Sequence, residues 1–194
     1  MKNSVRDLVV IKNWNVPCKP NNALLIKECK WCLPPPGYMK ANCDGAAKGN
    51  PGSARIGVTF RDDKGDIRLV MWEKIGVNTN YLAEVLAILE ALEVALEREW
   101  VNILIESDSS AVIKAFGTGK FPWWLTQRWE NIKGKVVNCI FTATWREANF
   151  SVDLAANKAT TMSSTQTYLF ERMKAPAWMF KWESPHLAYF RFVN

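Results

Sequence analysis

The sequence predicts a mixed α/β (α+β) domain: a five-stranded mixed sheet flanked by helices. Three observations carry this. Residues 38–75 hold three short apolar stretches separated by turn clusters, the pattern of hairpin-linked strands. From residue 79 the apolar period changes from two to 3.6. Beyond residue 100, apolar runs alternate with helical stretches, as in crossover-linked units. The predicted order is βββ-α-β-α-(α)-β-α.

Residues 1–37 read as an extension, closed by the stiff run Pro34-Pro35-Pro36-Gly37. Residues 38–46 look like a strand, followed by the turn Gly49-Asn50-Pro51-Gly52. Residues 56–61 and 67–75 are the next two strands, joined through Asp62-Asp63-Lys64-Gly65-Asp66. Between Thr79 and Glu99, Leu82, Val85, Leu86, Leu89, Leu92 and Leu96 form one apolar helix face, with Thr79 or Asn80 as N-cap. Residues 101–105 are a continuous apolar run, expected of a strand covered on both faces. Asp108 is placed to cap a helix reaching about Phe116, broken by Gly117-Thr118-Gly119. A Trp-rich helix over 122–134 and a fifth strand over 138–145 follow, and Asp153 begins a last helix. The aromatic tail, 161–194, is too apolar for a simple disordered tag, and its composition leaves open whether it packs on the domain. The expected organisation is therefore an extension (1–37), a domain (38–160) and a tail (161–194).

The 25 basic and 19 acidic residues give +6, a balance that suits phosphate binding and an ordinary soluble protein alike. Five scattered cysteines do not form a disulfide framework. Cys29-Lys-Trp-Cys32 has the spacing of half a zinc site, but no second pair completes it, so a reducing compartment is the simpler reading. No run approaches the roughly 18 apolar residues of a membrane helix, and no cleavable leader is visible. A soluble intracellular protein is expected, with nucleus and cytoplasm not distinguished.

Four acidic residues stand out. Asp44 lies in an apolar strand directly before Gly45, where turn chemistry competes with a site role. On a helical wheel, Glu90, Glu93 and Glu97 form one solvated acidic stripe, and Glu84 lies off it by roughly 120°. Its axial neighbours are Ile88 and Ala91, and a carboxylate on an apolar line is costly unless paired or bound to a cation. The helix dipole would also favour an acid there. Asp108 stands at a strand end, where ligand sites of α/β sheets gather, but an ordinary N-cap explains it equally well locally. Asp153 carries the same ambiguity. Four carboxylates from four elements, without histidine support, form a hard ligand set suited to Mg2+ or Mn2+ rather than zinc.

Four ordered motifs together closely resemble type 1 ribonuclease H, over about residues 38–160. They are Asn42-Cys-Asp-Gly-Ala-Ala-Lys-Gly-Asn-Pro-Gly52, Thr79-Asn-Tyr-Leu-Ala-Glu84, Glu106-Ser-Asp-Ser109 and Arg146-Glu-Ala-Asn-Phe-Ser-Val-Asp-Leu-Ala155. Trp31-Cys-Leu-Pro-Pro-Pro-Gly and the closing Tyr-Phe-Arg-Phe are similar to plant domains related to the C-terminal ends of non-LTR retroelement polyproteins. The resemblance implies a five-stranded mixed sheet, and endonucleolytic hydrolysis of the RNA strand of RNA–DNA hybrids. Its acidic ligands for two Mg2+ ions (Mn2+ also accepted) fall on Asp44, Glu84, Asp108 and Asp153. Hybrid contacts fall on Gly45, Asn50, Asn80, Ser109, Arg146 and Asn149, with Asn50 readable also as a turn residue. No obligatory protein partner is implied, and a monomer is expected.

The sequence also departs from the family. The position of its loop histidine is Ala143, and His186 in the tail is the only histidine. Tyr81 and Ser110 replace an asparagine and a glutamine, and the basic Trp-containing protrusion is reduced to Phe121-Pro-Trp-Trp-Leu-Thr-Gln-Arg-Trp129. Those tryptophans can stack on nucleic acid, but core packing is the reading favoured by burial habits. Two functions follow as expectations: an active metal-dependent nuclease, or a retroelement-derived nucleic-acid-binding domain with little or no turnover.

Overall fold

A computed structural model describes residues 9, 10, 12–14, 25–159, 167–171 (backbone only), 178, 179 and 181–193. About half of the expected extension, including Cys18, lies outside the described residues, as do residue 160 and the tail positions 161–166, 172–177, Phe180 and Asn194. The chain divides into two compact units, one of residues 28–189 and one of 1–27 with 190–194. The first contains the sheet and helices described below.

Strands β1 (Leu25–Lys30) and β8 (Ala188–Val193) form a two-stranded ribbon. The large sheet contains β2 (Met39–Gly49), β3 (Gly52–Arg61), β4 (Ile67–Asn78), β5 (Asn102–Ser107), β6 (Asn138–Ala143) and β7 (Thr167–Glu171), in the order β6-β5-β2-β3-β4-β7. β2, β3 and β4 are antiparallel neighbours, whereas β5 runs parallel to both β2 and β6. The five predicted strands thus form the predicted mixed sheet, and β7 from the tail adds a sixth, antiparallel to β4. The helices are α1 (Asn80–Glu97), α2 (Ser110–Thr118), α3 (Trp123–Lys133) and α4 (Phe150–Ala159).

Local chemistry sets the element ends. Thr79 is the N-cap of α1, its hydroxyl accepting the Leu82 N–H at 3.2 Å. Helix α2 runs through Gly117 and stops at Gly119, which takes the left-handed conformation (φ 68°) open to glycine. At the β3–β4 turn Asp62 accepts the Lys64 and Asp66 N–H groups, while Gly65 supplies a positive φ of 84°. The expected acidic stripe on α1 is not simply solvated: Arg128 of α3 bridges Glu90 and Glu93, both at 2.5 Å.

Period-two alternation sends the two sheet faces to different partners. Ala41, Cys43, Ile56, Val58 and Phe60 pack against Val85, Ile88, Leu89 and Leu92 of α1. On the opposite face Val70 and Trp72 meet Ala155 and Ala159 of α4. Lys40, Asn42, Asp44, Thr59 and Arg61 also point to that second face and are buried although polar or charged. Lys40, Asn42 and Arg61 can be buried because they find partners. Trp31 covers the pair Lys40 and Arg61, each 4.5 Å from its ring centroid, and its Nε1 donates to Asn42 Oδ1 at 3.1 Å. Lys40 bonds the Cys32 carbonyl at 2.8 Å and Glu106 at 2.6 Å.

The Trp-rich stretch divides. Trp129 is buried against Phe116, Phe121 and Phe141, as core packing requires. Trp123 is 86% exposed and Trp124 is exposed too, so the core reading fails for these two at the head of α3.

Two glycines let helices reach the sheet. A Cβ on Gly45 would lie 2.2 Å from the Ala83 carbonyl carbon and 2.4 Å from the Glu84 nitrogen. A Cβ on Gly57 would lie 2.5 Å from the Ala156 nitrogen and 2.7 Å from the Val152 oxygen. In both cases the obstacle is helix backbone. Gly45→Ala and Gly57→Ala are each expected to lower stability by at least about 2 kcal/mol, the scale of overpacking. Denaturant unfolding checks this, and an unchanged midpoint would show that the helices can move away freely.

Candidate metal centre

Asp44 stands in the middle of β2, opposite Gly57 of β3, so it is a strand residue facing α4 and the turn reading is excluded. Glu84 reaches the same place from the first turns of α1, brought close by the missing side chain at Gly45. Asp108 follows the end of β5. It is not the cap of α2, since Ser109 occupies that position. Asp153 lies inside the first turn of α4, which begins three residues earlier than the sequence suggested.

Ligand oxygens of Asp44, Glu84 and Asp108 all lie within 4.8 Å of one another. Asp153 is outside that group. Its Oδ1 accepts from Arg146 at 3.1 Å and its Oδ2 from Asn157 at 3.1 Å, while Asn157 Oδ1 accepts from Arg55 at 2.7 Å. The four predicted acids therefore share one end of the sheet, three as a tight cluster and the fourth in a hydrogen-bonded chain beside it.

The electrostatics show what the cluster lacks. Asp44 is 6% exposed and its Oδ2 has no hydrogen-bond partner. Burial, then the charges of Asp108 and Asp153, push its carboxyl up to about 7, against the opposing pull of Arg146 and Arg55. Burial, then Asp44 and Asp108, push Glu84 up to about 9, although Ser107 and the Gly45 backbone hydrogen-bond it. Burial is the larger shared cause, and repulsion between neighbouring carboxylates adds to it.

Ser107 was not singled out in the sequence. Its hydroxyl donates to Glu84 Oε2 at 3.3 Å and accepts the Ser109 N–H at 3.1 Å, tying α1 to the residues around Asp108. The signal was present: counting in twos from Ile103 and Ile105 puts Ser107 on the face toward α1.

Of the predicted nucleic-acid contacts, Arg146 is well exposed beside Asp153. Asn50 and Asn80 are exposed and brace one another's segments: Asn50 Oδ1 accepts the Asn80 N–H at 3.0 Å, and Asn80 Oδ1 accepts the Ala47 N–H at 2.7 Å. Ser109 is partly buried at the head of α2. Asn149 requires correction. It is 2% exposed, accepts from Asn42 at 2.9 Å and donates to the Cys43 carbonyl at 3.2 Å, so its amide is an internal brace. Gly45 is likewise buried, and its missing Cβ serves helix packing.

Among the described residues no helix is long and apolar enough to cross a membrane. Cys29 and Cys32 are not in a disulfide; Cys29 is buried and its thiol donates to the Tyr189 carbonyl at 3.3 Å, and Cys32 is exposed.

Residues 42–159 match the reverse transcriptase-like family. Over 89 residues the chain is 33% identical to an Arabidopsis thaliana protein whose name assigns it provisionally to ribonuclease H, covering 46% of this chain and 14% of that protein. Over 78 residues it is 37% identical to ribonuclease HI of Halobacterium salinarum, covering 40% of this chain and 39% of that protein. The matched stretches thus span under two-fifths of these relatives. Among solved structures, ribonuclease H1 of the same archaeon is similar with a TM-score of 0.60 and 28% identity, over 64% of this chain and 98% of that one. The LC11 ribonuclease H1 in complex with RNA/DNA hybrid is similar with a TM-score of 0.57 and 30% identity, over 62% and 95%. The chain belongs to the reverse transcriptase-like family, and the fold built around its acidic cluster is that of a ribonuclease H-like domain.

Proposed function

We propose that this domain cuts the RNA strand of RNA–DNA hybrids endonucleolytically, using two Mg2+ ions, or Mn2+ in their place, held by Asp44, Glu84, Asp108 and Asp153. The observation that carries the reading is the convergence of three carboxylates within 4.8 Å. The residues fit a divalent cation. Asp44 Oδ2 is buried without a donor, and a buried carboxylate oxygen in that state is costly unless a cation meets it. All-carboxylate donors suit a hard ion. Bound there, such ions would supply water activation and charge stabilisation for the leaving 3′-oxygen.

The protein's own groups then have distinct work. Glu84 is oriented by Ser107 and the Gly45 N–H. Arg146 holds Asp153 and presents an exposed guanidinium to a phosphate. With the Asn50 and Asn80 carbonyl oxygens engaged, each amide offers its NH2 donors to a 2′-hydroxyl. The similarity to a ribonuclease H1 crystallised with RNA/DNA hybrid supports that substrate, the Arabidopsis relative supports a plant lineage, and the reverse transcriptase-like family supports a retroelement origin. We place the protein inside the cell, acting as a monomer.

A second reading, a binding domain with little turnover, is favoured by two features. Asp153 is ion-paired outside the cluster, and Ala143 stands where the family carries a histidine. Cleavage of a labelled hybrid in Mg2+ and in Mn2+, with Asp44→Asn purified alongside, separates the two. Cutting by the parent alone establishes the nuclease. A folded parent that cuts no faster than Asp44→Asn in either metal leaves the binding domain.

A further inference from the structure

The second face of the sheet holds charge that the metal centre does not use. Arg61 and Glu183 are both almost fully buried and form an ion pair at 2.5 Å. Glu183 lies outside the stretch matched to the family, in the C-terminal segment. Buried charges persist only when paired and hydrogen-bonded, and this pair is. Arg61 Nη1 donates to the Glu183 carbonyl at 2.9 Å and Nη2 to the Ser151 hydroxyl at 2.9 Å.

The remaining contacts of Glu183 are to Ser151, two residues before the fourth acid, Asp153. Its Oε1 accepts the Ser151 N–H at 2.7 Å, and its Oε2 accepts the Ser151 hydroxyl at 2.5 Å. Ser151 is the second residue of α4, so its N–H is among those that no carbonyl of the helix can satisfy. A carboxylate there also complements the helix dipole. Caps are usually local, but this one comes from 32 residues downstream. Asp153 is two residues further along the same turn. The helix entrance is gripped from the other side as well: Asn149 is bonded to the carbonyl of Cys43, the residue preceding Asp44. Tyr189 packs on Phe150 at 5.7 Å and accepts the Ser184 N–H at 2.8 Å, fixing the segment that carries Glu183.

We propose that Glu183 is a positioning residue of the metal centre: capping α4 from the C-terminal segment, it sets where Asp153 and its partner Arg146 stand relative to Asp44. The proposal rests on the metal reading above for its functional half only, since the cap itself requires no ion.

The test compares Glu183→Gln, which keeps an acceptor for the Ser151 N–H, with Glu183→Ala, which removes it. Phe116→Leu, a core variant on the opposite face, controls for lost stability. Mn2+ titration is expected to show half-saturation rising from parent to Gln to Ala, by about tenfold for Ala, as when an outer-shell partner is removed. The control should melt earlier with parental half-saturation. Amide exchange at residues 151–153 of α4 should speed up in the Glu183 variants more than in the sheet. Parental half-saturation in folded Glu183→Ala, or uniform exchange, overturns the proposal; should Ala not fold, Glu183→Gln decides by the same readings. A parent that binds no Mn2+ refutes the metal reading instead, and exchange alone then decides the cap.

Discussion

Asp44→Asn and Glu84→Gln are each expected to lower hybrid cleavage at least a hundredfold in Mg2+, with Asp153→Asn losing less. A catalytic metal contributes several kcal/mol of charge stabilisation, and each 1.36 kcal/mol is about tenfold in rate. Asp44 and Glu84 sit in the cluster whose oxygens lie within 4.8 Å, so neutralising either removes a central ligand. Asp153 lies beside it and already has Arg146 and Asn157 as partners. Its loss should act mainly through metal occupancy and recover in part at high Mn2+. Folding failure is not a competing explanation for Asp44→Asn, because that change removes a carboxylate which burial and its neighbours disfavour. Rates at saturating metal, with melting temperatures for each variant, check the ordering. If Asp153→Asn proved as damaging as Asp44→Asn at saturating Mn2+, the division into three acids and one would be wrong.

Strands β2–β6, their succession along the chain and the helix placing Glu84 could be read from the chain because each follows from local pattern, whereas β1, β7 and β8 in the flanks were not read. The period change at residue 79 and the apolar neighbours of Glu84 are properties of adjacent residues, and Ile88 and Ala91 are indeed fully buried. The turn reading of Asp44 arose because Asp-Gly is a turn pair, whereas here Gly45 is needed for the approach of α1. The buried polar face escaped notice for a different reason. Lys40, Asn42, Asp44, Thr59 and Arg61 alternate with apolar residues, a pattern that normally marks a face turned to water. What covers them includes Trp31 and Glu183, neither inside the stretch matched to the family, so no local pattern announces it. Asn149 failed for the same reason: a motif asparagine reads as a ligand until its two partners, Asn42 and Cys43, are seen from across the fold.

Without divalent metal, the protein is expected to lose stability as pH rises from about 5 to 8, and saturating Mg2+ should reverse that slope. The folded carboxyls of Asp44 and Glu84 stand at about 7 and about 9, above their ordinary values of 3.8 and 4.5. Below about pH 3 both states are protonated and the groups contribute no difference. Between the ordinary and the raised values the folded state keeps protons that the unfolded chain has lost. The unfolded state then binds fewer protons, so stability falls with rising pH, by about 1.4 kcal/mol per pH unit for each retained proton. A bound cation favours the charged carboxylates and must displace those protons, so its stabilisation grows with pH. At a concentration a hundred times its dissociation constant it would contribute about 2.7 kcal/mol, a melting shift of roughly 5–10 °C for a chain of this size. Asp44→Asn should flatten the metal-free slope twice over, removing one titrating group and relieving the repulsion that raises Glu84. Melting curves at pH 5 and 8, in chelator and in Mg2+, for parent and Asp44→Asn make the comparison. A parent slope that matches Asp44→Asn in chelator would mean that the acids are already neutralised by groups of the protein itself, leaving a cation nothing to compensate.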